Sequence, residues 1–273
     1  MERLSKVVAR VSEFSRRKSE KIIRAGKVKV NKVVVYEPYR QVEAGDIVSI
    51  NNQIMEAESI KLYIALYKPE GYMSDLQDPR GRKTARDLIK LDVKLYPVGR
   101  LDYHSEGLML FTNDGDFANE IMHPRYEIEK EYLVKFKGLL NRDEINRIKK
   151  GVHVDDSKRE YGESAKDYRE KRQPLMDIRR NKQKKDSRAI YKLNEIQLVR
   201  TATKNGWYRV TVTEGKNRMI RKIGEAIDHP VLKLKRIRIG KLQLGDLQSG
   251  EYRYFEKAEA LDTRNKGNRI KNI

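Results

Sequence analysis

The 273-residue chain carries 60 Lys and Arg against 40 Asp and Glu, a formal charge of +20 with a pI near 9.8. So large a basic excess predicts a polyanionic partner, nucleic acid ahead of an anionic membrane surface. The absence of cysteine excludes disulfides and thiolate chemistry and suits a reducing cytoplasm, and four histidines without HExxH or similar spacing argue against a protein-bound zinc.

The length suggests two domains, a small one followed by a larger one. The opening stretch MERLSKVVARVSEF is charged and helical in period, without the continuous apolar core of a signal peptide, and no later stretch is long and apolar enough to span a membrane. Leu4, Val7, Val8 and Val11 share one helical face. SRRKSEKIIRAG predicts a second helix with Ser15 as N-cap and Gly26 as its stop. KVKVNKVVVYEPYRQVEAGDIVSI then alternates apolar and polar residues, with turns at Asn31-Lys32 and Ala44-Gly45-Asp46. Residues 1–50 are therefore expected to form a binding module too small to be an enzyme. Arg3 and Lys6 on the first helix, Arg16 and Arg17 at the start of the second, and Lys27 beyond it are placed to hold phosphates, as is the helix N-terminus capped by Ser15. A solvated charged face would look the same.

Residues 51–60 read as a linker, and residues 61–261 as an α+β domain. Strands are predicted at KLYIALYKPEGY, YPVGRL, GLMLFTN, EKEYLVKFKG, EIQLVR, WYRVTVTEG and VLKLKRIRIG. Helices are predicted at KTARDLIKL with Thr84 as N-cap, at DGDFANEIM, at NRDEINRIKKG between Asn141 and Gly151, and at KNRMIRKIGEAI. Strands outnumber helices without regular alternation, which favours a mixed, mainly antiparallel sheet flanked by helices over a doubly wound one. Residues 154–190 mix both charge signs with few apolar residues and read as a mobile or extended insertion, and residues 262–273 as a basic tail.

PVGRLDYHSEGLMLFTNDGD places Asp102 at the end of an apolar strand, two residues after Arg100, so that period-two alternation puts both side chains on one face. A carboxylate held at a strand end beside a cation can be catalytic, or can form an ion pair that ties a turn. Spacing alone leaves both readings open.

RLSK, SRRKSEKIIRAGKVKVN and the later Gly-Asp resemble the small RNA-binding module named for a ribosomal small-subunit protein, the S-four type. Lys32 departs from that pattern, where glycine commonly follows the asparagine. YPVGRLDYHSEGLMLFTNDGDFANEIMHP resembles the catalytic motif of the pseudouridine synthases that modify ribosomal RNA, in the branch with such an N-terminal module. YIALYKPEGYMSDLQDPRGRKTARDL before it and EGKNRMIRKIGEAIDHPVLKLKRIRIGKLQLGDLQSGEY after it match in order. The resemblance implies the pseudouridine synthase fold and isomerisation of a uridine in structured RNA without cofactor or metal. The RNA is expected to be ribosomal, with transfer RNA as the alternative, and the protein to be monomeric.

It also implies roles. Asp102 would attack or otherwise activate the uridine, Tyr132 would pack on the target base, Arg221 would pair with the aspartate, and Arg100 would occupy or read the space around the flipped nucleotide. Asn217 and Arg218 join Asn31, Ser15 and the basic residues of the module as expected RNA contacts. Met219 departs from the glutamine of many relatives. A catalytically silent, ribosomal RNA-binding assembly factor is the competing reading. A nuclease would want clustered carboxylates and a methyltransferase a glycine-rich loop after its first strand, and neither pattern is present.

Overall fold

The computed structural model describes residues 1–43, 45–55, 60–155 and 188–261. The first unit contains β1 (Glu2–Arg3), α1 (Leu4–Val11), α2 (Arg16–Arg24), β2 (Val28–Val30), β3 (Val33–Val34), β4 (Gln41–Val42), β5 (Val48–Ile50) and β6 (Gln53–Ile54). Leu4, Val7 and Val8, spaced three and four apart, turn one face of α1 onto Ile23, Val28, Val30 and Val48 in a closed apolar core. Ser15 Oγ accepts from the Lys18 amide at 3.3 Å, and Gly26, at φ +69°, lets the chain leave α2.

Strand order in the small sheet is β3-β2-β5-β6. Asn31 and Lys32 both take positive φ, 50° and 70°, as a two-residue hairpin with right-handed twist demands. Lys32 thus occupies a position that glycine fills without strain, at a cost of about 1 kcal/mol. Asn31 holds the turn by donating to Asp46 Oδ1 at 2.7 Å and accepting from the Ile47 amide at 2.9 Å. A second such turn at Asn51-Asn52 carries the chain into β6, so the first residues of the expected 51–60 linker belong to this sheet.

The larger unit comprises β7 (Tyr63–Lys68), β8 (Tyr96–Val98), β9 (Glu106–Thr112), α3 (Gly115–Met122), β10 (Lys130–Phe136), α4 (Arg142–Lys150), β11 (Val152–Asp155), β12 (Arg188–Tyr191), β13 (Glu195–Ala202), β14 (Asn205–Val212), α5 (Met219–Ala226), β15 (Val231–Ile239), β16 (Leu242–Gln243), β17 (Tyr252–Tyr254) and α6 (Lys257–Ala260). The main sheet runs β13-β14-β10-β15-β9-β7-β17, with β8 on β9 and β16 on β15. All these pairings are antiparallel except β15 with β9, the mixed, mainly antiparallel sheet expected.

Strands β7 and β9 are covered on both faces. Ile64, Leu66, Met109 and Phe111 join a core that includes Ile148 of α4 and Ile220 and Ile223 of α5, while Ala65, Tyr67, Leu108 and Leu110 join another that includes Phe117 of α3 and Ala260 of α6. Strand β10 sends Tyr132, Val134 and Phe136 into the first core alone.

Two expectations require correction. The strand before Asp102 ends at Val98, because Gly99 turns at φ +80°; Arg100 and Asp102 therefore lie on a loop and do not share a strand face. Residues 154, 155 and 188–190, expected within the insertion, are instead paired strand, since β11 and β12 pair from Val152 with Tyr191 to Asp155 with Arg188. The remainder of that segment, and the tail, lie outside the described residues.

Lys94 of the larger unit donates to the carbonyls of Ala9 at 2.6 Å, Ser12 at 2.8 Å and Phe14 at 2.7 Å, and so caps the end of α1 from outside. Lys6 pairs in the other direction with Asp116. Lys94→Met leaves those carbonyls without their donor. Limited trypsin digestion is expected to cut at Lys61 several-fold faster in that variant, with the melting of the larger unit little changed.

Candidate active site

The loop between Gly99 and β9 has no regular secondary structure, yet each of its carbonyls from Arg100 to Ser105 accepts a hydrogen bond. Arg100 is reached by Arg236 Nη1 at 3.5 Å and Leu101 by Ser74 Oγ at 2.6 Å. Asp102 receives the Ser105 amide at 3.0 Å and Tyr103 the Gly71 amide at 2.9 Å. His104 receives Arg221 Nη2 at 2.6 Å and Ser105 receives Lys68 Nζ at 2.7 Å. Three cations and a serine thus fix a segment that would otherwise vary in conformation, and the Asp102 side chain inherits that rigidity.

Arg221 is the third residue of α5, in its first turn. Its Nε lies 3.7 Å from Asp102 Oδ2, with the arginine side chain 12% and the aspartate 33% exposed. The same guanidinium donates to Ser105 Oγ at 3.1 Å and to the Val231 carbonyl at 3.3 Å. Burial lowers its pKa and the Asp102 carboxylate opposes that, which leaves an arginine charged at any working pH. The cation beside Asp102 is therefore Arg221. Arg100 is 71% exposed and reaches Asp75 at 3.5 Å instead.

Tyr132, 8% exposed, packs in the same apolar cluster as Leu101, which precedes Asp102, and Met219, the first residue of the helix that carries Arg221. It follows a register shift in β10 and lies opposite Arg236 of β15. Arg236 is itself 2% exposed and donates Nε to the Leu108 carbonyl at 2.7 Å.

Lys68 is fully buried, donates also to the Pro69 carbonyl at 2.8 Å, and is pulled by burial down to about 8 from its ordinary 10.5, against the opposing pull of Asp102 and Glu70. The unfolded chain binds this proton more tightly than the folded one, so unfolding free energy rises with pH between about 8 and 10.5. Lys130, also pulled to about 8 by burial, adds to the slope, whereas Tyr67 and Tyr96, pushed up to about 12, oppose it only near pH 10 and above. Urea titrations from pH 7.5 to 9.5 are expected to show stability increasing, with a shallower rise in Lys68→Met.

The expected RNA contacts fall into two groups. Arg3, Ser15, Arg16, Arg17, Lys27 and Asn217 are exposed. Lys6 is engaged with Glu2 and Asp116, Asn31 with its turn, and Arg218, at φ 52° before α5, reaches Glu225 at 3.9 Å. Lys68, Arg236 and Ser74 escaped the sequence reading. Arg236 had a signal: in VLKLKRIRIG it lies two residues after Leu234, on the inward register.

The chain thus joins a clamped carboxylate–guanidinium pair to a small basic unit. The RNA pseudouridylate synthase family matches residues 62–226, and the S4 domain matches residues 2–48. Ribosomal large subunit pseudouridine synthase B of Bacillus subtilis (strain 168) is 38% identical over 254 residues, 93% of this chain and 91% of that protein. Its namesake in Escherichia coli (strain K12) is 37% identical over 250 residues, 89% and 75% of the two chains. An uncharacterized RNA pseudouridine synthase of Aquifex aeolicus (strain VF5) is 34% identical over 260 residues, 94% and 91%. A crystal structure of a pseudouridylate synthase shares the fold, with a TM-score of 0.59 at 23% identity over 95% of this chain and 98% of the other. The chain belongs to the RNA pseudouridylate synthase family and is an isomerase that acts on RNA.

Proposed function

We propose that this enzyme converts one specific uridine of large-subunit ribosomal RNA to pseudouridine, with Asp102 as the catalytic carboxylate, and that it works as a cytoplasmic monomer. The reaction breaks the N-glycosidic bond, turns the uracil and rejoins it through a ring carbon to the same ribose; that carbon loses its proton and the freed ring nitrogen gains one, so composition is unchanged and no electron is lost.

The observation that carries the reading is the pairing of Asp102 with Arg221 at 3.7 Å on a loop whose every carbonyl is held. The target base leaves its stack at a cost of a few kcal/mol, and stacking on an aromatic such as Tyr132 returns about 1 to 3 kcal/mol. Arg221 holds the carboxylate aimed, and Arg100, exposed at the rim, meets the flipped nucleotide or its neighbours. Arg3, Arg16, Arg17, Lys27 and Asn217 contribute backbone contacts whose affinity falls steeply with salt. The ribosomal substrate is supported by the names of the Bacillus subtilis and Escherichia coli relatives.

The test is to map pseudouridine by carbodiimide chemistry across large-subunit, small-subunit and transfer RNA, with and without the protein. A signal that depends on the protein is expected in large-subunit RNA. A signal confined to transfer RNA would refute the substrate.

A further inference from the structure

The sheet face opposite Tyr132 carries a composite surface that the catalytic site does not use. Alternation along β10 turns Leu133 and Lys135 away from the core that holds Tyr132, Val134 and Phe136. Register then aligns two rows across four strands. One row is Arg200, Trp207, Lys135 and Lys233; the other is Gln197, Arg209, Leu133 and Lys235. Arg200, Lys233, Gln197 and Arg209 are exposed, and Trp207, Lys135, Leu133 and Lys235 half-buried.

The first row contains no acid. Arg200 lies 5.4 Å and Lys135 5.9 Å from the Trp207 ring, so the indole sits between two cations. In the second row Arg209 meets Glu131 at 3.3 Å, and Lys235 lies over the Tyr67 ring at 4.5 Å.

We propose that this face is a second RNA-binding surface, which takes a single-stranded segment of the substrate away from the target uridine, one base stacking on Trp207 and its phosphates meeting Arg200, Lys135 and Lys233. Charge complementarity selects a polyanion, and an indole flanked by cations distinguishes a nucleobase with its phosphates from an acidic peptide, which has no ring to stack. The inference rests on the enzyme's action on RNA but not on the role of Asp102.

Trp207 is the sole tryptophan of the chain, so its emission reports this face directly. Titration of the full-length enzyme at low salt with a short oligouridylate is expected to quench that emission, and a blunt RNA duplex or polyglutamate to quench it far less. Arg200→Gln with Lys135→Gln, folded by circular dichroism, is expected to weaken the oligouridylate titration about tenfold or more. The same variant should still form pseudouridine in large-subunit RNA when enzyme is in excess, and Asp102→Asn should be quenched like the wild type. Unchanged emission on adding oligouridylate, equal quenching by polyglutamate or duplex, or quenching that survives the double substitution would overturn the proposal. Loss of pseudouridine formation in Asp102→Asn alone bears only on the catalytic assignment.

Discussion

Asp102→Asn is expected to fold, to bind RNA as tightly as the wild type, and to lose pseudouridine formation by about 10³-fold or more. The substitution keeps the side-chain shape and removes only the charge. Arg221 remains anchored to the His104 carbonyl, Ser105 Oγ and the Val231 carbonyl, so α5 keeps its place, and the loop carbonyls keep their donors. A corollary separates this from general damage. Asp102 holds up the pKa of Lys68 against burial, so in the variant the Lys68 value drops below about 8 and the rise of stability with pH begins earlier. Carbodiimide detection of product together with a gel shift measures the main effect, and turnover within tenfold of the wild type would refute the assignment.

Gly107→Ala carries the largest expected structural effect. Gly107, the second residue of β9, sits at φ +108°, where L side chains are strained, and a Cβ there would lie 2.2 Å from the Arg236 carbonyl and 2.7 Å from its amide. Both obstacles are backbone of the neighbouring strand β15, at the single parallel pairing that joins the halves of the sheet, so neither can rotate aside. Relief requires β9 and β15 to part. That carries Arg236 away from the Arg100 carbonyl and loosens the loop bearing Asp102. A loss of more than about 3 kcal/mol of stability is expected, together with activity, in urea unfolding. A variant within 1 kcal/mol of the wild type, with activity intact, would show that the strands yield at little cost.

Local signals in the chain are accurate where chemistry is local. Ser15, Asn141 and Gly26 act as caps and stops, and the Asn31-Lys32 turn takes the backbone that its position between two strands requires. Asp102 and Arg221 were legible through motif resemblance, although they are far apart in sequence and their contact is a tertiary fact. What stayed hidden depends on register and burial. The lysine ending YIALYK gives no sign in sequence that it turns inward to hold Ser105, and Gly99 ends its strand early because of a backbone conformation that an apolar pattern does not encode. Arg100 looked like the partner of Asp102 because they are two residues apart, but the turn at Gly99 removes the alternation on which that inference stood.

An enzyme that isomerises uridine with one clamped carboxylate needs no metal and transfers no group. When the purified enzyme is dialysed against chelator and incubated with large-subunit RNA, nucleoside composition and the mass of the RNA fragment are expected to show one uridine lost, one pseudouridine gained and no change in mass. A mass shift, or no pseudouridine at all, would contradict this.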